Sequence, residues 1–179
     1  MKKYIAILRG INVGGKRKIL MADLKVLLTK MGLQDITTYI QSGNIVFFSN
    51  LSARKIEETI KQAIFKKYGF DVPVMIRTSE EIKIIFNNNP FLPNEKNIDK
   101  LYVTFLSENP VLENIDHLKK MDFNGDQFVI DKSQVYLFFS EKYSKSKLSN
   151  NLIESKLKVT ATTRNWKTVR TLFEMVSNG

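Results

Sequence analysis

The sequence contains no cysteine and a single histidine, and these two gaps restrict the chemistry that the chain can perform. Without a thiol there is no disulfide, no thiolate metal ligand and no cysteine nucleophile. A Ser–His–acid triad would have to use His117, which lies in a polar helical stretch and is expected at the surface. No group of residues has the spacing of metal ligands, so we expect neither a metal nor another cofactor.

Long apolar runs are also missing. No run reaches the roughly 18 residues that a membrane-spanning helix needs. The apolar stretch near the start of the chain is interrupted by Arg9, Gly10 and Asn12, too early for a signal peptide. We therefore expect a cytoplasmic protein with no membrane partner, and the sequence does not indicate an oligomeric state.

Acidic residues are scarce relative to basic ones, with 18 Asp and Glu against 28 Lys and Arg, for a net charge of +10. Residues 1–90 hold 15 basic and 7 acidic residues, a balance of +8, whereas residues 91–179 hold 13 and 11, a balance of +2. Residues 141–170 alone hold 8 and 2, a balance of +6. Such surfaces attract the phosphates of nucleic acid or of an anionic metabolite. The alternative is a lysine-rich surface that is only solvated.

Apolar periodicity predicts the order βαββαβ plus a helix in the first half of the chain. The predicted strands are Tyr4–Leu8, Ile36–Ile40, Ile45–Phe48 and Val72–Ile76. The predicted helices are Met21–Met31, Ser52–Tyr68 and Ser79–Phe86. Residues 87–99 are rich in Asn, contain Pro90 and Pro93, and are interpreted as a linker.

The same order then recurs. The predicted strands are Leu101–Leu106, Gln127–Ile130, Val135–Phe139 and Val159–Thr162. The predicted helices are Val111–Met121, Ser146–Leu157 and Trp166–Val176. Short local similarities between the halves favour an internal duplication. The fold class is therefore predicted to be α+β, with two tandem ferredoxin-like halves at residues 1–86 and 100–179.

A glycine-rich segment raises the question of nucleotide binding. Gly10-Ile-Asn-Val-Gly-Gly15-Lys16 matches G-x-x-x-x-G-K, but Arg17 stands where a phosphate-binding loop needs Ser or Thr to hold Mg²⁺. The helix is predicted to begin only near Met21, and the expected sheet is antiparallel rather than the parallel sheet of such sites. We do not expect a nucleoside triphosphatase.

The predicted topology brings this loop to the turn at residues 41–44. In a βαββαβ unit the first and third strands are neighbours, so the loop after the first strand and the hairpin before the third lie at one end of the sheet. Cations, glycine N–H groups and amide side chains would then form an anion site. Its candidate residues are Arg9, Gly10, Asn12, Gly14, Gly15, Lys16, Lys18, Gln41, Ser42 and Asn44. The alternative is that Gly and Asn serve only the turns, and the sequence leaves both interpretations open.

A second candidate patch lies where the last strand meets the last helix. Asn165 is a suitable N-cap, with Thr168 three residues later. Trp166 could stack on a base or a partner, although a lone Trp is more often a core anchor. Arg164 could bind an anion or pair with an acidic residue.

Three segments together resemble the bacterial domain-of-unknown-function 1697 family. They are Leu8-Arg-Gly-Ile-Asn-Val-Gly-Gly15, Tyr39-Ile-Gln-Ser-Gly-Asn44 and Ala161-Thr-Thr-Arg-Asn-Trp-Lys-Thr-Val169. The resemblance covers essentially the whole chain and implies a duplicated ferredoxin-like α+β fold. It implies no activity, cofactor or catalytic residue. Leu20 stands where the family usually has Pro before the first helix.

Two functions follow as hypotheses. The first is non-enzymatic binding of nucleic acid or another anionic partner through the basic surface. The alternative is an enzyme that acts on a small phosphorylated or nucleotide-like ligand held between the Gly10–Lys18 loop and the Gln41–Asn44 turn. A purely structural partner protein is also compatible with the sequence.

Overall fold

The computed structural model describes residues 1–93 and 97–178 and shows an α+β protein. Within these residues there are two four-stranded antiparallel sheets and six α-helices. The chain divides into two compact units, which are described separately below. The first contains Met1–Ile84 and the segment that starts at Leu172, and the second contains Ile85–Thr171.

The sheet of the first unit has the strand order β2-β3-β1-β4. Its strands are β1 (Lys2–Leu8), β2 (Gln34–Tyr39), β3 (Asn44–Ser49) and β4 (Val74–Thr78). The two central strands, β1 and β3, pair in register from Lys2↔Ser49 to Ile7↔Asn44. This confirms the expectation that the first and third strands are neighbours in an antiparallel sheet.

Two helices, α1 (Met21–Lys30) and α2 (Ala53–Tyr68), contribute to the core of this unit. Both are amphipathic, and α2 buries Ile56, Ile60 and Ile64 at helical spacing, as predicted. The Ser52 side chain caps α2 by accepting the N–H of Lys55, and left-handed Gly69 ends it. The core cluster joins these helix residues to the sheet residues Tyr4, Ala6, Leu8, Ile45, Phe47, Val74 and Ile76.

The sheet of the second unit repeats this arrangement with the order β6-β7-β5-β8. Its strands are β5 (Leu101–Leu106), β6 (Gln127–Asp131), β7 (Gln134–Phe138) and β8 (Ala161–Asn165). Its core includes Leu118 of α4 (Leu112–Lys119) and Ile153 and Leu157 of α5 (Asn150–Leu157).

One helix follows the last strand of each sheet, and in both the strand ends with a capping residue. At α3 (Ser79–Asn87) the Glu81 carboxylate accepts the N–H of Thr78, whose hydroxyl accepts the N–H of Glu81. At α6 (Trp166–Ser177) the Asn165 side chain accepts the N–H of Thr168, which confirms the predicted N-cap.

Several sequence-based boundaries are wrong, including those of β4, β8 and α5. The strand placed at Val159–Thr162 is Ala161–Asn165, because Lys158 ends α5 in a left-handed conformation and the chain then needs two residues to enter the sheet. The fifth helix begins at Asn150 rather than Ser146, since the Ser146 hydroxyl is bonded to Asp126 and Ser149 provides the cap. The fourth strand is shifted from Val72–Ile76 to Val74–Thr78. Part of the predicted linker at 87–99, residues 94–96, lies outside the described residues.

A pair of buried arginines occupies matching places in the two sheets. Arg77 in β4 lies opposite Ile5, and Arg164 in β8 lies opposite Val103. Each donates from Nη1 to the carbonyl of the residue before it, Ile76 at 2.9 Å and Thr163 at 3.0 Å. Burial lowers the pKa of both guanidinium groups below the ordinary value. The shared strand order and these shared positions are consistent with a two-half repeat.

Candidate functional site

The loop after β1 and the turn before β3 are in direct contact. The N–H of Leu8 donates to the carbonyl of Gly43 at 2.8 Å, and the Asn12 amide donates to the carbonyl of Gln41 at 2.8 Å. The sequence-based juxtaposition of residues 9–18 with residues 41–44 is therefore present. We call residues 9–18 the glycine loop and residues 41–44 the amide turn.

Asn12 holds the glycine loop closed. Besides its bond to the amide turn, its Nδ2 donates to the Ile19 carbonyl at 2.9 Å, and its Oδ1 accepts the Ile19 N–H at 2.9 Å. The residue itself is left-handed, with φ 56°, a conformation that Asn tolerates better than most side chains. Both ends of the Asn12 amide are thus used to close the loop, which supports a structural role for this residue.

The glycines of the loop form the tip of a short hairpin. Val13 and Lys16 form a β-bridge, and the Asn12 N–H donates to the Arg17 carbonyl at 3.2 Å. Gly14 and Gly15 lie between them with φ of 57° and 73°, as a two-residue type I′ turn requires. The backbone N–H of Lys16 is bonded to the Val13 carbonyl and is therefore not available to a phosphate. In a nucleotide-binding loop, by contrast, the backbone N–H groups surround the phosphate.

The amide turn is packed tightly beneath the glycine loop. A β-carbon on Gly43 would lie 2.7 Å from Cδ1 of Ile11 and 2.8 Å from Cβ of Leu8, closer than real β-carbons approach. Asn44 is fully buried, and its Nδ2 donates to the Tyr39 carbonyl and to the Ser42 hydroxyl. The side chain of Asn44 therefore stabilises the turn from inside.

Three consecutive cations of the glycine loop face solvent: Lys16, Arg17 and Lys18. Among the described residues, no carboxylate forms an ion pair with any of the three. The guanidinium of Arg17 lies over Gly10, 3.6 Å from where a β-carbon would stand. Arg9 is half-buried at the start of the loop, where its backbone N–H donates to the Pro73 carbonyl. We call Lys16, Arg17 and Lys18 the basic tip.

The second candidate patch is mostly internal. Trp166 is buried and stacks on Phe86 with ring centroids 5.2 Å apart, so it anchors the helix start. Arg164 is only 8% exposed; burial lowers its pKa to about 10, and Nη1 donates to the Thr162 hydroxyl and the Thr163 carbonyl. Asn165 is exposed, and its side chain caps α6.

The basic stretch at 141–170 is less cationic on its surface than its sequence suggests. Arg164 is internal, Lys167 forms an ion pair with Asp99 at 2.9 Å, and Lys145 pairs with Glu141 at 3.1 Å. His117 is exposed on α4, as expected. Among residues 1–93 and 97–178, no group of three or more His, Asp or Glu side chains is arranged to hold a metal ion.

The sequence does not predict two exposed apolar side chains, one in the glycine loop and one directly before the amide turn. Ile40 was assigned to a strand, but β2 ends at Tyr39, and Ile40 lies in a left-handed conformation with φ 51° and is 49% exposed. Val13, next to the hairpin turn, is 66% exposed. The G-G dipeptide after Val13 was the available signal for a hairpin tip; nothing in the sequence signals the backbone of Ile40.

None of the helices within residues 1–93 and 97–178 has both the length and the hydropathy that a membrane span requires.

No curated protein matches the chain closely enough to count as a relative. A solved structure of a conserved bacterial protein from Streptococcus pneumoniae is similar to it, with a TM-score of 0.81, 27% identity and 98% of each chain covered. Residues 1–136, which include the glycine loop and the amide turn, match the family described as "Protein of unknown function (DUF1697)". The chain belongs to that family.

Proposed function

We propose that this protein binds nucleic acid without catalysing a reaction, and that the basic tip makes the central phosphate contacts. The observation that carries the proposal is a hairpin fixed by hydrogen bonds that presents three consecutive exposed cations with no ion pair among the described residues. Neutralising phosphates with such cations releases condensed counterions, which drives binding to any phosphate polymer.

The fixed loop favours binding because little order has to be gained. Asn12 already closes the loop onto Ile19 and Gln41, and the Val13–Lys16 bridge fixes the tip. Immobilising a flexible loop would cost part of the interaction free energy on binding. Val13, which forms a bridge with Lys16, and Ile40, which directly precedes the amide turn, are exposed and supply apolar contact area for sugars or bases.

The same geometry favours binding over catalysis at this site. The side-chain amides of Asn12 and Asn44, which could have oriented a reacting ligand, are bonded to backbone carbonyls and a hydroxyl of the protein. The polar side chains that remain exposed are the three cations and the amide of Gln41, and none of these is a general base at neutral pH.

The experiment measures affinity for a labelled single-stranded RNA of about 20 nucleotides by fluorescence anisotropy, from roughly 50 to 200 mM NaCl. The test variant is Lys16→Gln/Arg17→Gln/Lys18→Gln. If all three cations contact phosphates, log K against log salt should lose about 2 from its slope, at roughly 0.7 per single-strand contact.

The control removes three exposed lysines elsewhere, by Lys30→Gln/Lys119→Gln/Lys120→Gln, with the same change of net charge. It should keep a slope close to that of the wild type. Equal slopes for both variants would show that net charge alone attracts the RNA and would contradict the proposal. If the wild type does not bind the RNA at the lowest salt concentration, the proposal of nucleic-acid binding is wrong, and an acidic protein is favoured as the partner.

We also propose that each half is a ferredoxin-like unit, that the chain arose by internal duplication, and that the protein is cytoplasmic. The common strand order and the matched Arg77 and Arg164 support the duplication. In a crystal structure, superposition of the two halves should align all four strands with the two arginines coincident. A superposition with shifted register would contradict the duplication.

A further inference from the structure

A cavity of about 240 Å³ lies within the second unit, far along the chain from the glycine loop. Its walls come from the turn before β6 and from the segment between β7 and α5. Its lining includes Phe123, Asp126, Ser146, and the lysines Lys142, Lys145 and Lys147. The volume is several times the roughly 30 Å³ that one water occupies in the liquid.

Asp126 connects the two walls of this cavity. Its Oδ1 accepts the Ser140 N–H at 2.8 Å and the Ser140 hydroxyl at 2.9 Å, and its Oδ2 accepts the Ser146 hydroxyl at 2.5 Å. Ser146 in turn accepts the Leu148 N–H at 2.9 Å. The left-handed turn at Asn124 and Gly125 brings this wall close to Ser140, whose Cβ would lie 3.6 Å from a β-carbon on Gly125. The position of the lysine-bearing segment is thus fixed by a carboxylate that already accepts three hydrogen bonds.

The lysines of the wall carry an excess of positive charge. The lining contains three lysines and two carboxylates, Asp126 and Glu141, for a net charge of +1. Glu141 pairs with Lys145, and both side chains are 69% exposed, so this ion pair is weak. Among the described residues no carboxylate forms an ion pair with Lys142 or Lys147. These two ammonium groups are available to an anion at the cavity.

We propose that this cavity binds the phosphate group of a small phosphorylated molecule, with Lys142 and Lys147 as the principal ligands. Ammonium groups bind phosphate as point charges through several N–H donors, without the planar geometry that a guanidinium requires. The space beyond the phosphate leaves room for a small organic group beside Phe123. This site shares no residue with the basic tip, and its occupancy does not depend on nucleic-acid binding there.

The test titrates the protein with pyrophosphate and follows backbone amide resonances, with NaCl adjusted to constant ionic strength. Shifts should concentrate at residues 123–126 and 140–147. The variant Lys142→Gln/Lys147→Gln should bind at least about tenfold more weakly, since each hydrogen bond to a charged group contributes roughly that factor or more.

The matched control is Lys119→Gln/Lys120→Gln, two exposed lysines outside the cavity lining, which should retain the affinity of the wild type. Each amide spectrum also reports whether the variant is folded, and the single substitutions Lys142→Gln and Lys147→Gln replace the double variant if it is not. Shifts spread over all basic surfaces, an unchanged affinity in the cavity variants, or no shift in the wild type would each overturn the proposal.

Discussion

Replacing Gly43 by Ala tests the contact between the amide turn and the glycine loop. The new β-carbon would lie 2.7 Å from Cδ1 of Ile11 and 2.8 Å from Cβ of Leu8, and φ at this position is 80°. The left-handed backbone costs an alanine about 1–2 kcal/mol. Overpacking against Leu8 and Ile11, both buried, adds about 1–3 kcal/mol. We therefore expect the variant to lose about 2–5 kcal/mol of unfolding free energy.

Gly15 provides the matched control. Its φ of 73° is close to that of Gly43, but apart from its two chain neighbours no heavy atom of the described residues lies within 4 Å of the place where a β-carbon would stand. Gly15→Ala should therefore carry only the backbone cost of about 1–2 kcal/mol. Urea unfolding of both variants, followed by circular dichroism, measures the difference. Equal losses in the two variants would refute the close packing of the turn against Leu8 and Ile11.

Substitutions at three further residues test other parts of the structure. Asn12→Ala removes three hydrogen bonds that close the glycine loop and should lower the unfolding free energy, measured in urea, by about 2–3 kcal/mol. Amide hydrogen exchange at Ile19 should become faster, and an unchanged exchange rate there would contradict the role of Asn12 in closing the loop. Burial raises the pKa of Tyr136 from 10.0 to about 12. The contribution of this shift to the unfolding free energy is therefore complete below pH 10 and is lost as pH rises towards 12. Between pH 9 and 11.5 the wild type should therefore lose about 2 kcal/mol more than Tyr136→Phe, and parallel losses would contradict the shift. Asn165→Ala should cost about 1 kcal/mol in the same assay through loss of the cap of α6, whereas Asn165→Asp should retain most of it.

Periodicity was sufficient to predict the element order and the central pairing of the sheets, because both follow from local patterns and general topology rules. The stripe of Ile56, Ile60 and Ile64 and the cap at Ser52 are examples of such local signals. The contact between residues 9–18 and 41–44 followed from topology alone. What the sequence left open was the use of the amides, since a partner such as the Ile19 carbonyl is fixed by the conformation of the loop.

Features that depend on tertiary neighbours escaped the sequence. Arg164 was counted with a basic surface, yet its strand position buries it. The start of α5 was misplaced because the Ser146 hydroxyl has a partner, Asp126, twenty residues earlier. The lysine-lined cavity depends on that same contact. A run of lysines in the sequence does not indicate which of them will surround a common space.

The most direct test of the proposed function is to map a single-stranded RNA titration on the backbone amides of the protein. Binding through the basic tip predicts the largest shifts at residues 12–18 and 40–44, and their loss in the Lys16→Gln/Arg17→Gln/Lys18→Gln variant. Shifts confined to residues 142–158, or a variant map identical to that of the wild type, would contradict this account of the nucleic-acid site.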